Sequence, residues 1–364
     1  MKRKDLIPVL LTGAAHFLVD FVCTFLLTQR VLPAAGGRNT VVLCALLYNG
    51  FAFALQLPIG FIADRLRLTR LFSGAGCVIV AAAAFLRRPV ALSVIAGLGN
   101  AFFHVGGGRE ALLRGEGKNT LPGIFVAPGA IGIFLGPAAA RAAYPAEIFA
   151  ALLALTGAAL ALTRRGTPQE YTGEAFIAPQ KRPRRFTVAA LLFVTVLLRS
   201  YMGAQLKYPF RSLAIPALLF VLCVFAGKLL GGVFADRFGA LRFSSFAQVL
   251  CTVLFVVSVW VPYLGMPAVL LFNTSMAVTA AQLFRCFPRR PGAAFGLTTV
   301  ALYLGVIPSL LHLPSPGVQV WSMLLLGAAS AASLIAGLLF IGGDANGVRG
   351  GDLAGKIAGA HADF

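Results

Sequence analysis

Acidic residues are scarce in this chain: only 12 of its 364 residues are Asp or Glu, and charged residues of either sign make up 12%. An ordinary soluble domain carries roughly 25% charge. With 59% hydrophobic residues and a mean hydropathy of +0.86, the chain is unsuited to water as its only solvent. Cysteine is sparse as well. Cys23, Cys44, Cys77, Cys223, Cys251 and Cys286 form no C-x-x-C pair and no zinc-like cluster, so they read as small buried side chains. Lys118 follows Gly115 and Gly117 without the G-x-x-x-x-G-K-[ST] spacing of a phosphate-binding loop. No catalytic triad and no metal-ligand spacing stands out, so the chain reads as a non-enzyme with no cofactor.

Long apolar runs are what the sequence has instead. A helix of about 20 apolar residues crosses ~30 Å of hydrocarbon. Such runs predict spans at 6–27, 40–62, 71–88, 90–113, 121–140, 144–163, 186–206, 210–233, 241–262, 264–285, 292–313 and 317–342. The basic start Met1-Lys2-Arg3-Lys4 resembles a signal peptide, but the run after it is full length and lacks a clean small-residue cleavage site. It reads as a retained first helix. The net charge of +19 invites a nucleic-acid reading, yet its distribution answers otherwise. With the N-terminus cytoplasmic, 22 of the 31 lysines and arginines fall on the cytoplasmic side. The positive-inside rule accounts for that excess, places both termini in the cytoplasm of a bacterial inner membrane and requires no nucleic acid. The basic, proline-containing stretch 164–185 divides residues 1–163 from 186–342, and 343–364 reads as a cytoplasmic tail.

An internal repeat supports that division. Gly60-Phe61-Ile62-Ala63-Asp64-Arg65 ends the second span, and Gly232-Val233-Phe234-Ala235-Asp236-Arg237 ends the eighth, 172 residues later. Each glycine allows close helix approach, and each aspartate can accept hydrogen bonds from a neighbouring helix terminus. Arg65 and Arg237 reach the interface. These groups read as parts of a gate, with Arg109 and Glu110 near the same end of the fourth span. The paired G-x-x-x-D-R segments resemble the loop signature of the major facilitator superfamily. That resemblance implies an all-α membrane protein of twelve helices, in two pseudo-symmetric six-helix bundles that rock around a central cavity.

The fifth span carries Gly123, Gly132, Gly136 and Pro137, a G-x8-G-x3-G-P pattern similar to the exporter signature of proton-coupled antiporters in that superfamily. Its usual closing glycine pair is replaced by Ala140 and Arg141. Physically, the glycines form a smooth strip for close packing and the proline permits a bend. His16 and Asp20 in the first span, with Gly97-Leu98-Gly99 and then His104 in the fourth, loosely resemble the fosmidomycin-resistance type of bacterial exporter.

The intramembrane polar residues can be read without any resemblance. His16 and Asp20 stand four apart, on one face of their helix. Asp20 lies ~21 Å above Leu6 and Arg199 ~20 Å above Phe186, so the two are expected to pair across the halves. Ionisable groups at such depth mark a pathway or a coupling site by default. The expected proton-coupling set is therefore Asp20, His16 and Arg199. Asn100, His104, Tyr201, Gln205, Asn273 and Gln56 are the expected substrate-facing residues. The function this predicts is proton-coupled efflux of a small organic, anionic or amphiphilic compound by a monomer in contact with lipid, with the proton as coupling ion. An importer or uniporter of the same fold, and a non-transporting membrane enzyme or scaffold, are the alternatives.

Overall fold

The computed structural model describes residues 3–162, 182–206, 217–314 and 320–360. Most of the stretch 164–185 lies outside the described residues. Among the described residues, glycine- and proline-punctuated apolar runs form twelve helices: α1 (Lys4–Ala34), α2 (Arg38–Leu66), α3 (Thr69–Ala83), α4 (Pro89–Gly115), α5 (Thr120–Arg141), α6 (Ala146–Leu162), α7 (Arg184–Gln205), α8 (Ala217–Phe238), α9 (Ala240–Val257), α10 (Pro262–Cys286), α11 (Pro291–Leu310) and α12 (Val320–Ile341). Ten are long and apolar enough to span a bilayer; α3 and α6 are shorter apolar helices. No strand occurs among the described residues.

The helix ends follow local chemistry. Pro89 and Pro291 begin α4 and α11, where a missing N–H costs nothing. Arg67 and Glu116 close α2 and α4 in left-handed conformation. Two expectations shift. α3 stops at Ala83 rather than 88, and the expected tail continues α12 as helix to Ala360. Two π-helical turns, Leu27–Val31 in α1 and Gly50–Ala54 in α2, interrupt otherwise regular helices; such turns recur at functional sites.

Packing repeats with a period of six helices. α1 packs on α5 as α7 packs on α11, α3 on α6 as α9 on α12, and α2 on α4 as α8 on α10. The halves meet where α2 packs on α11 and α5 on α8. The glycines of α5 explain two of these contacts: a Cβ at Gly132 would strike the backbone of Phe17 and one at Gly136 that of Phe21 in α1, while a Cβ at Gly123 would lie 2.9 Å from the Lys228 carbonyl in α8. Between the halves lies a cavity of about 540 Å³ lined from α1, α2, α4, α5, α7, α8, α10 and α11. Leu27 and Phe53, one in each π-helical turn, are among its walls.

Candidate functional site

The floor of the cavity is polar and comes from the first half. A backbone carbonyl only accepts, so Nδ1 of His16 donates to the Phe125 carbonyl at 2.7 Å, and Nδ1 of His104 donates to the Asn100 carbonyl at 2.9 Å. Both tautomers are thereby set, and the two Nε2 atoms face each other 2.8 Å apart. Two lone pairs at that distance repel. One proton between them converts the contact into a hydrogen bond, and the imidazolium so formed lies 3.0 Å from Oδ2 of Asp20. Asn100 Nδ2 donates to Oδ1 of the same carboxylate at 3.1 Å, and His104 Nε2 stands 3.8 Å from it. The arrangement is thus complete with a single extra proton. Gly129 of α5 makes room for it, since a Cβ there would strike His16 and lie 2.5 Å from Asp20. Phe125 stacks on the His16 ring with centroids 4.8 Å apart, which walls the cluster on its apolar side.

The opposite wall is cationic and comes from the second half. The guanidinium of Arg199 lies 4.3 Å over the Phe272 ring, and half-buried Lys228 projects from the middle of α8. The Lys228 charge is within electrostatic range of both Asp20 and Arg199. The expected direct Asp20–Arg199 pair is replaced: the ion pairs of Asp20 are with His16 and His104. Depth along two helices brought Asp20 and Arg199 to one level, but rotation about each axis points Asp20 at α4 and Arg199 at α10.

The other expected site residues divide. His104, Arg199 and Asn273 line the cavity with His16 and Asp20. Asn100 stands behind the wall and positions Asp20. Gln56 is buried against α11 and donates to the Ala52 carbonyl of its own helix. Gln205 ties the end of α7 to the Leu313 carbonyl, and Tyr201 packs where α11 crosses α7 at Gly305. These three stand outside the cavity walls because a neutral side chain in a helix satisfies itself on backbone as readily as on a ligand. Lys228 was missed by the sequence reading, although a lone lysine in the apolar run 217–238 is a visible signal.

Both repeated segments form clamps at one end of the molecule. Asp64 of α2 accepts from the Gly292 and Ala293 amides, at 2.8 and 2.9 Å, at the N-terminus of α11. Asp236 of α8 accepts from the Asn119 and Thr120 amides, at 2.9 and 2.8 Å, at the N-terminus of α5, and from the Asn119 amide nitrogen and Thr120 hydroxyl at 2.8 and 2.6 Å. Each carboxylate therefore meets the positive end of a helix from the other half. Gly60 and Gly232 permit the approach, because a Cβ at either would strike the opposing backbone. The clamps differ in one respect: Asp64 is buried and also receives Arg109 Nε at 3.1 Å, whereas Asp236 is exposed. Arg65 and Arg237 are exposed and do not touch the carboxylates; Arg237 lies over the Phe238 ring. Glu110 pairs with Arg114 at 3.2 Å, and Arg114 shares a surface pocket with Thr120 and Asp236 of the second clamp.

No family profile matches the chain, and no curated protein matches it by sequence. Solved structures do match in fold. FucP, a major facilitator superfamily transporter in the outward conformation, superposes with a TM-score of 0.64 at 14% identity, covering 93% of this chain and 99% of that one. A second structure, of the E. coli fucose:proton symporter FucP, gives 0.61 at 13% over 93% and 99%. A bacterial homologue of the iron transporter ferroportin, outward-facing, gives 0.59 at 15% over 95% and 100%. The twelve-helix fold of this chain is therefore that of major facilitator superfamily transporters, and at these identities the likeness is one of fold.

Proposed function

We propose that this chain is a proton-coupled secondary transporter of a small organic compound, working by alternating access in a bacterial inner membrane with both termini cytoplasmic. The observation that carries the reading is the coexistence of two symmetric carboxylate-to-helix clamps at one end with a charged cavity between the halves. Clamps made of hydrogen bonds between the halves can open as units, and opening them exposes the cavity from the other side.

The clamp end carries the basic loops, so the positive-inside rule makes it cytoplasmic and the cavity outward-facing. The outward conformation of FucP supports that orientation. His16, Asp20 and His104 hold the coupling proton; relative to the expected set of Asp20, His16 and Arg199, His104 takes the place of Arg199. The α5 glycine pattern supports efflux. Uptake is a second reading, favoured by the likeness in fold to the fucose:proton symporter FucP. Flux in proteoliposomes tests the proposal: a pH gradient must drive accumulation of an organic solute in vesicles with the protein, and vesicles in which neither direction of gradient moves any solute contradict it.

A further inference from the structure

Two histidines and a carboxylate converge on one point of the cavity floor. His16 and Asp20 stand one turn apart on α1, and His104 comes from α4, 88 residues away from His16. That dispersal is why no ligand spacing shows in the sequence. All three residues are buried within the protein, yet each borders the cavity. Their donor atoms, Nε2 of the two histidines and a carboxylate oxygen of Asp20, lie within 4.8 Å of one another.

The way the rings are held singles out this cluster. Nδ1 of His16 donates to the Phe125 carbonyl and Nδ1 of His104 to the Asn100 carbonyl, so each Nε2 turns a lone pair toward the same point. Histidines that ligate a metal are oriented by just such an outer hydrogen bond, which fixes the tautomer and makes the ligating nitrogen more basic. Asp20 is oriented likewise: Asn100 donates to Oδ1, and Oδ2 faces His16 at 3.0 Å. Around a tetrahedral ion with metal–nitrogen bonds of about 2.0–2.1 Å, two nitrogens stand ~3.3 Å apart. The two Nε2 atoms are 2.8 Å apart and His104 Nε2 is 3.8 Å from Oδ1, so parting the rings by about half an ångström seats an ion.

We propose that His16, Asp20 and His104 form a binding site for a divalent transition-metal ion of the Zn²⁺, Co²⁺ or Ni²⁺ kind, entered from the cavity and with its fourth position turned toward it. The imidazoles select that class. Ca²⁺ and Mg²⁺ require about six or more oxygen ligands, and Asp20 is the one carboxylate among the cavity's lining residues. Lys228, within electrostatic range of Asp20, opposes any cation here, so the bonds to nitrogen carry the affinity. The ion and the shared proton occupy the same lone pairs, and the site holds one or the other. This inference goes beyond the transporter reading and is independent of which solute moves.

The test uses the full-length protein in detergent, purified without a histidine tag and with its six cysteines changed to alanine. Calorimetric titration with Zn²⁺ should find a single site per chain, and Co²⁺ should give the intense visible absorption of a four-coordinate complex. His104→Leu and Asp20→Asn should each weaken Zn²⁺ binding by about 100-fold or more, and Asn100→Leu, which removes an orienting partner only, by about 10-fold. His104→Cys supplies a thiolate in place of the imidazole and should retain binding, which separates the loss of a ligand from the loss of folding. Lys228→Met should tighten binding. Parent protein that takes up no Zn²⁺, undiminished Zn²⁺ binding by folded His104→Leu or Asp20→Asn, or Mg²⁺ bound as tightly as Zn²⁺ would overturn the proposal. None of these measurements involves flux, so their failure leaves the transporter reading intact, and vesicles that move no solute leave the metal site intact.

Discussion

Removing the Asp64 carboxylate should unbalance the molecule more than removing the Asp236 carboxylate, although Asp236 has the larger number of donors. Asp64 is 9% exposed and accepts two helix-terminal amides and Arg109. A hydrogen bond to a charged group is worth about 1.5–3 kcal/mol net, so losing the two amide bonds costs the closed clamp on the order of 3–6 kcal/mol. Since 1.4 kcal/mol is tenfold, Asp64→Ala should shift the closed-to-open ratio by roughly 100- to 10,000-fold. Asp236 is exposed, water replaces its partners readily, and about 1–2 kcal/mol or roughly tenfold is the expected shift there. Arg109 also loses its carboxylate in the first variant, which adds to the asymmetry.

Distance measurement between spin labels reads both clamps. One pair replaces exposed Arg65 and Arg289 across α2 and α11; the other replaces exposed Lys118 and Arg237 across α5 and α8. The six native cysteines, none of them in a disulfide, are first changed to alanine. The parent should give one short distance for each pair. Asp64→Ala should give a dominant long distance for Arg65–Arg289, and Asp236→Ala a minor one for Lys118–Arg237. Equal effects, or a larger effect of Asp236→Ala, would refute the argument from burial.

Other outcomes follow from the same geometry. Gly60→Leu should hold the clamp open, because the side chain would enter the α11 backbone; the Arg65–Arg289 distance checks it. Gly129→Val should displace His16 and Asp20 and lower gradient-driven flux by about tenfold or more while the protein still folds, as judged by monodisperse elution. Asn100→Leu, which strips the Oδ1 partner from Asp20, should weaken proton coupling and spare counterflow. A fluorescent or phosphatase reporter fused after Leu162 should report cytoplasm, and a periplasmic signal there would reverse the orientation.

Much of the fold was legible because membrane helices announce themselves by length and apolarity. All twelve expected spans correspond to helices, and the repeated aspartates do accept from helix termini, as their place at the hydrocarbon edge implied. What stayed hidden is rotation. Asp20 and Arg199 were placed at one level correctly by rise per residue, but that coordinate is silent on where a side chain points. The Asp64 partner Arg109 and the His16 partner His104 stand 45 and 88 residues away and were each expected near the right end or depth, without their contacts. The Phe125 carbonyl that sets the His16 tautomer carries no side-chain signal at all. Gln56, Gln205 and Tyr201 were named for polarity alone, and polarity in a membrane helix is as often spent on packing. Lys228 was the reverse case, a charge plain in the sequence and passed over.

The claim that most needs a direct measurement is that the His16–Asp20–His104 cluster carries the coupling proton. Proteoliposomes loaded with a pH-sensitive dye should show proton movement when a transported solute is added outside, with accumulation under an imposed gradient. Asp20→Asn should keep substrate counterflow but show neither proton movement nor accumulation. Full gradient-driven accumulation by Asp20→Asn would contradict the account.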